Sequence, residues 1–168
     1  MVIVRLSKIV MTGSLAFWAF LITFGNVTDY DTNWTFVQHV LSMDTIFPES
    51  TLRWRAITHP AAHHVSYWAI IVTEGLMCLA FLVATVAMAR KIKAPKPEFQ
   101  RARALTAVGI IVGFGLWFVG FIVIGGEWFA MWQSETWNGQ DTAFNFCMTI
   151  LAVAVFVFLD TDGEPVQT

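Results

Sequence analysis

Glu74 is the residue whose type and place demand a chemical explanation. It sits inside an apolar run from Val65 to Met88, and a charged side chain at the centre of a membrane-crossing helix costs about 3 kcal/mol. Two readings follow: a proton-relay or ligand-binding carboxylate, or a structural Glu hydrogen-bonded to a neighbouring helix. Helical spacing extends the feature, because His63, Tyr67 and Glu74 fall on nearly one face, with His63 about 16 Å from Glu74 along the axis. A polar file can thus run from the helix end to its interior. Glu74, Tyr67 and His63 form the candidate proton or ligand site.

The histidines offer a second chemistry. His39, His59, His63 and His64 all precede that run. His59 and His63 are four apart, a spacing that lets two imidazoles share a transition metal, with His64 and Glu127 as further candidate ligands. The alternative is that these histidines satisfy backbone groups where a helix leaves the membrane. No His-Glu-x-x-His, Cys-x-x-Cys or second His pair supports the metal. No nucleophile constellation, phosphate loop or haem-attachment motif is visible either, so no catalytic residue or cofactor is assigned and the expectation is a non-enzymatic protein.

Aromatic and amide residues cluster near Glu127. The stretch Glu127 to Ser134 follows Gly125-Gly126, and Trp137-Asn138-Gly139-Gln140 reads as a turn into a helix. In a compact bundle Glu127, Asn138 and Gln140 are expected near His63 and His64. Trp34, Trp54, Trp68, Trp128, Trp132 and Trp137 lie on the same side. They read as an aromatic belt at the headgroup layer, or as a surface for a partner or a quinone headgroup. The candidate partner surface is Trp34, Trp54, Trp128, Trp132, Trp137, Asn138 and Gln140. Asn26-Val-Thr28 and Asn33-Trp-Thr35 match the glycosylation sequon but carry little weight. Gly109, Gly113 and Gly120 read as a small-residue face for helix packing, and Cys78 and Cys147 as small apolar side chains.

These residues must be held by membrane-spanning elements. The 168 residues are 57% hydrophobic and 13% charged, well above the roughly 45–50% apolar content of soluble domains. About 20 residues cross the hydrocarbon core, so four spans leave no room for a soluble catalytic domain. The net charge of −2 gives no argument for nucleic acid. The expected architecture is an all-α four-transmembrane-helix bundle with a small helical periplasmic cap, one domain over 1–168. Spans are placed at about 9–26, 63–90, 104–126 and 141–159, outer segments at 27–62 and 127–140, and a cytoplasmic loop at 91–103. The first run is read as an uncleaved helix.

Charge orients the spans. Arg90, Lys91, Lys93, Lys96, Arg101 and Arg103 lie between the second and third runs, and Arg5 and Lys8 precede the first. This predicts cytoplasmic N- and C-termini and a cytoplasmic basic loop. Pro95 and Pro97 predict an exposed, non-helical tether there. Outside, a helix is expected from Asp31 or Thr32 to about Met43, and a short one from Glu49 to Ile57.

Thr28-Asp29-Tyr30, the run Phe36 to Thr45, Trp54-Arg55-Ala56-Ile57, Thr73-Glu74 and the run Gly125 to Gln140 together resemble the bacterial family of predicted small integral membrane proteins of unknown function (domain of unknown function 2165). The resemblance implies a four-span protein of the bacterial inner membrane and supplies no activity. Two functions are therefore weighed: an accessory protein docking a membrane-protein partner or a second copy through its cap, and a small transporter, proton-coupled carrier or transition-metal-handling protein using Glu74 and the histidines. The lipid bilayer is the partner common to both.

Overall fold

Placing polar and small residues every third or fourth position gives each long helix one stripe to bury. The computed structural model describes residues 2–160. In α1 (Val2–Thr28) the buried stripe runs Arg5, Lys8, Thr12, Leu15, Ala16, Ala19 and Asn26. After α2 (Tyr30–Ser42) and a tight helical turn (Thr51–Arg55), α3 (Pro60–Arg90) buries His63, Tyr67, Ile71, Glu74, Met77, Phe81, Ala84 and Met88. The third span, Lys96–Trp128, begins as α4 (Lys96–Ala104) and α5 (Thr106–Phe114). α6 (Gln140–Phe158) completes four helices long and apolar enough to cross a membrane. The described residues contain no strand, so the fold is an all-α membrane bundle.

The four spans form a ring: α1 against α3, α3 against α5, the third span against α6, and α6 back on α1. Lipid tails are as apolar as leucine, so close packing must hold these helices together. Small residues permit it. A methyl group at Gly109 would stand 2.6 Å from the Phe81 ring, and one at Gly113 would meet Ile150 and Met77 at 2.7–2.8 Å.

Gly120 behaves differently from the sequence reading. From Gly115 to Trp128 the third span winds in wide i→i+5 turns, ending with Phe129 N–H donating to the Ile124 carbonyl at 3.0 Å. Such turns are rare and seldom exceed one. Residues five apart now stack, so Gly120 aligns with Gly115 and Gly125. A methyl on Gly120 would touch only Gly115 and Leu116 of its own segment. Gly109 and Gly113 are the helix-contact glycines.

The basic end also departs from expectation. Pro95 and Pro97 do not keep the segment extended; Pro95 precedes α4 and Pro97 lies in its first turn, where a missing N–H is harmless and a fixed φ favours the helix. Arg5 donates to the carbonyls of Ile92 and Ala94 at 3.0 and 2.6 Å and lies over the Phe99 ring. Lys8 donates to the Leu159 carbonyl at 2.5 Å, and Arg103 to those of Val157 and Leu159 at 3.3 Å. Lys8 and Arg103 therefore cap the C-terminus of α6, where carbonyls lack intrahelical donors, and Arg5 ties down the turn that follows α3.

At the opposite end, α2 and the turn at Thr51–Arg55 form the cap, held by a core of Val37, Leu41, Met43, Ile46, Tyr67, Ile71, Phe129 and Ala130. The Glu49–Ile57 helix is reduced to that one turn, and Ile57 N–H donates to the Leu41 carbonyl at 2.8 Å. Met43 and Ala130 adopt left-handed backbone, each at φ 51°, a conformation few non-glycine residues accept.

Candidate functional site

Glu74 is 1% exposed, and its partner comes from α1. Asn26 Nδ2 donates to Glu74 Oε2 at 2.7 Å, Asn33 Nδ2 donates to Asn26 Oδ1 at 2.6 Å, and the Tyr67 hydroxyl donates to the Asn26 carbonyl at 3.2 Å. Asn26 stands two residues before the end of α1 and Asn33 in the first turn of α2. The sharp break between these helices at Asp29 brings both amides over the carboxylate. Amides donate and accept but do not titrate, so Asn26 and Asn33 fix the orientation of the Glu74 carboxylate.

The group forms one wall of a cavity of about 530 Å³ between α1, α2, α3, the wide-turn segment and α6. Its exposed lining is Asp29, Asn33, Asn138 and Thr142 at the cap end and Leu21 on the side of α1; its interior is buried Asn26, Tyr67, Glu74, Trp117 and Ala143. The polar part of its mouth is thus at the cap end. Trp117 packs edge-on against Phe146 at 4.7 Å, and Phe146 against Trp18 at 4.9 Å. Phe36, Val37, Ile70 and Phe121 divide this cavity from a second, mainly apolar one of about 350 Å³.

Tyr67 and Glu74 meet at Asn26, whereas His63 does another job. Its ring Nε2–H donates to the Ile57 carbonyl at 2.7 Å, pinning the cap to α3. His59 Nδ1 accepts from Ala61 N–H at 3.2 Å and caps α3. His64 lies flat on Trp34 at 4.8 Å and bonds the Tyr30 hydroxyl at 2.9 Å. Burial, and next the Asp31 carboxylate, raise the Tyr30 phenol above its ordinary value. Glu127 is exposed, and its backbone carbonyl accepts from Arg55 at 3.4 Å. Among the described residues no three His, Cys, Asp or Glu side chains are grouped to hold a metal.

Asn138 lines the Glu74 cavity, and its Oδ1 accepts from Gln140 N–H at 3.1 Å, while Gln140 packs over Gly126. Trp34 and Trp137 are stacked on His64 and His39. Trp54, Trp128 and Trp132 remain 71%, 48% and 49% exposed, and with Trp68 they are the exposed tryptophans among the described residues. Arg55 lies 4.7 Å over Trp128 and 5.4 Å over Trp54.

Sequence reasoning missed Asn26, Asn33 and Trp117. A signal existed for Asn26: an amide in the last turns of an apolar helix, at a depth where it must find a partner. Trp117 and Trp18 were the two tryptophans outside the outer group.

Four packed spans around a buried, hydrogen-bonded carboxylate define a polytopic integral membrane protein with an internal polar site. The chain belongs to the family described as predicted small integral membrane protein (DUF2165), whose model covers residues 4–160. No curated protein and no solved structure matches it.

Proposed function

We propose that this protein is a small-molecule carrier or receptor of the bacterial inner membrane, taking its ligand from the cap side into the cavity at Glu74. One observation carries the reading: a buried carboxylate oriented by Asn26 on the wall of a cavity of about 530 Å³ with a polar, exposed rim. Ligand sites are commonly 300–1,000 Å³, mostly apolar, with a few placed polar groups. Magnitudes support it. An intramembrane carboxylate costs about 3 kcal/mol, whereas interhelical hydrogen bonds within membranes contribute about 0.6 kcal/mol on average and 1.7 at most. The hydrogen bond from Asn26 alone does not offset that cost, which supports a role for Glu74 in binding. The basic end is assigned to the cytoplasm by its lysines and arginines, which points the mouth outward.

The competing reading, partner docking through the cap, rests on exposed Trp54, Trp128 and Trp132. Their place beside Arg55 also suits an interfacial belt. A thermal-shift screen of small metabolites on protein in mild detergent separates the two. A stabilising ligand is expected whose effect disappears in Glu74→Gln and persists in Trp132→Ala. No stabilisation by any metabolite, with a stoichiometric protein partner lost on Trp132→Ala, would overturn the carrier reading.

A further inference from the structure

We infer that the ligand of this cavity is an organic ammonium ion; the inference rests on the proposed ligand-binding role and specifies its chemistry. Three features of the lining point the same way. First, its charge has one sign. Glu74 on the wall and Asp29 on the rim are carboxylates, and no lysine, arginine or histidine lines the cavity. The cap's arginines are occupied elsewhere: Arg53 donates to the Ile46 carbonyl at 3.2 Å, and Arg55 to the Trp128 carbonyl at 3.2 Å. An anion entering here would meet two carboxylates and no counter-charge.

Second, the apolar lining is aromatic. Phe36, Tyr67, Trp117, Phe121 and Phe146 all border the cavity, with Trp117 and Phe121 rings 5.0 Å apart. Ring faces carry negative electrostatic potential, and cages of them are a recurrent solution for binding quaternary ammonium groups. A cavity of about 530 Å³ also exceeds what a bare metal ion requires, and a hard cation would want a shell of oxygens that these rings do not provide.

Third, one buried polar group in the lining lacks a protein partner. Asn26 engages Glu74 through Oε2. Trp117 is 4% exposed, and its Nε1 is buried without an acceptor. Buried polar groups are nearly always satisfied, so the Trp117 N–H beside the Glu74 carboxylate marks where ligand contacts are to be made. An ammonium centre between Glu74 and the rings meets the charge requirement, and an oxygen substituent would serve the Trp117 N–H.

The test uses matched probes on full-length protein in mild detergent. Choline is compared with its neutral dimethylbutanol isostere, and tetraphenylphosphonium with tetraphenylborate, an anion of the same shape. Binding is read by tryptophan fluorescence and thermal shift. Each cation is expected to bind at least about tenfold more tightly than its isostere. Glu74→Gln should abolish the difference; it still offers Asn26 an acceptor and therefore folds. Trp117→Phe should retain the charge preference, keeping a ring face while losing the N–H. Equal affinity within each pair, or preference for the borate, overturns the ammonium assignment. If that result comes with a metabolite hit that still depends on Glu74, the carrier reading stands and only the ligand class fails. Absence of binding by all four probes also overturns the assignment, and the carrier reading is then decided by the metabolite screen.

Discussion

At the scale of the residue, Asn26 and Glu74 divide one interaction unequally. Glu74→Gln keeps an oxygen for Asn26 Nδ2, so its thermal stability is expected within about 1 kcal/mol of the parent, near the mean value of a membrane hydrogen bond. Asn26→Leu leaves Glu74 buried without its donor and removes the acceptor of Asn33. A loss of about 1–3 kcal/mol is expected. Steric-trap or detergent unfolding measures both. Equal losses would mean that Asn26 does not hold the carboxylate. Glu74, Tyr67 and Asn138 were legible in the sequence as polar residues at odds with apolar surroundings or at a turn. Asn26 was not identified as the partner, because an amide near a helix end resembles any capping or sequon residue until the neighbouring helix is in place.

At the scale of the element, the third span holds two kinds of glycine. Gly109→Ala drives a methyl into the Phe81 ring, and overpacking of this sort costs about 1–3 kcal/mol. Gly115 has open space around it, and alanine there restricts the unfolded chain, so Gly115→Ala should be neutral or stabilising by up to about 1 kcal/mol. Comparable destabilisation by both would contradict the packing described. Glycine spacing alone suggested one face through Gly120; it could not reveal the change of pitch at Gly115, which depends on hydrogen bonds rather than side-chain pattern. The prolines of the basic segment were misread for a related reason. Proline excludes helix interiors but favours helix starts, and only the structure shows which position each occupies.

The C-terminal end of α6 supplies an electrostatic prediction. Lys96 lies 3.1 Å from the Asp160 carboxylate, and this hydrogen bond first, with Coulombic attraction from Lys96, Arg103 and Lys8, holds that carboxyl below its ordinary value. A lowered folded-state value means the contribution is complete above the ordinary carboxylate range and lost as pH falls through the lowered one. Asp160→Asn should therefore differ from the parent near neutrality and converge with it in acid. Melting curves across that range measure it, and the difference should be small because the pair is exposed.

At the scale of the whole molecule, topology is the strongest expectation. Cysteine introduced at Lys93 should resist a membrane-impermeant thiol reagent applied outside intact cells, whereas cysteine at Asn138 should react. Reversed labelling would move the cavity mouth to the cytoplasm. Composition and charge made the four-span bundle and its basic end legible, because both depend on sums over many residues. The cavity was not, since it forms from α1, α2, α3, the third span and α6 together and no single segment encodes its shape.

The contact between Lys8 and the Leu159 carbonyl joins the first span to the fourth. Helices emerge from the ribosome in order, so the first span enters the bilayer well before the carbonyl it will grip exists. Arg103 reaches for the same end. Ring closure therefore waits for the fourth span, which also supplies one wall of the cavity at the far end.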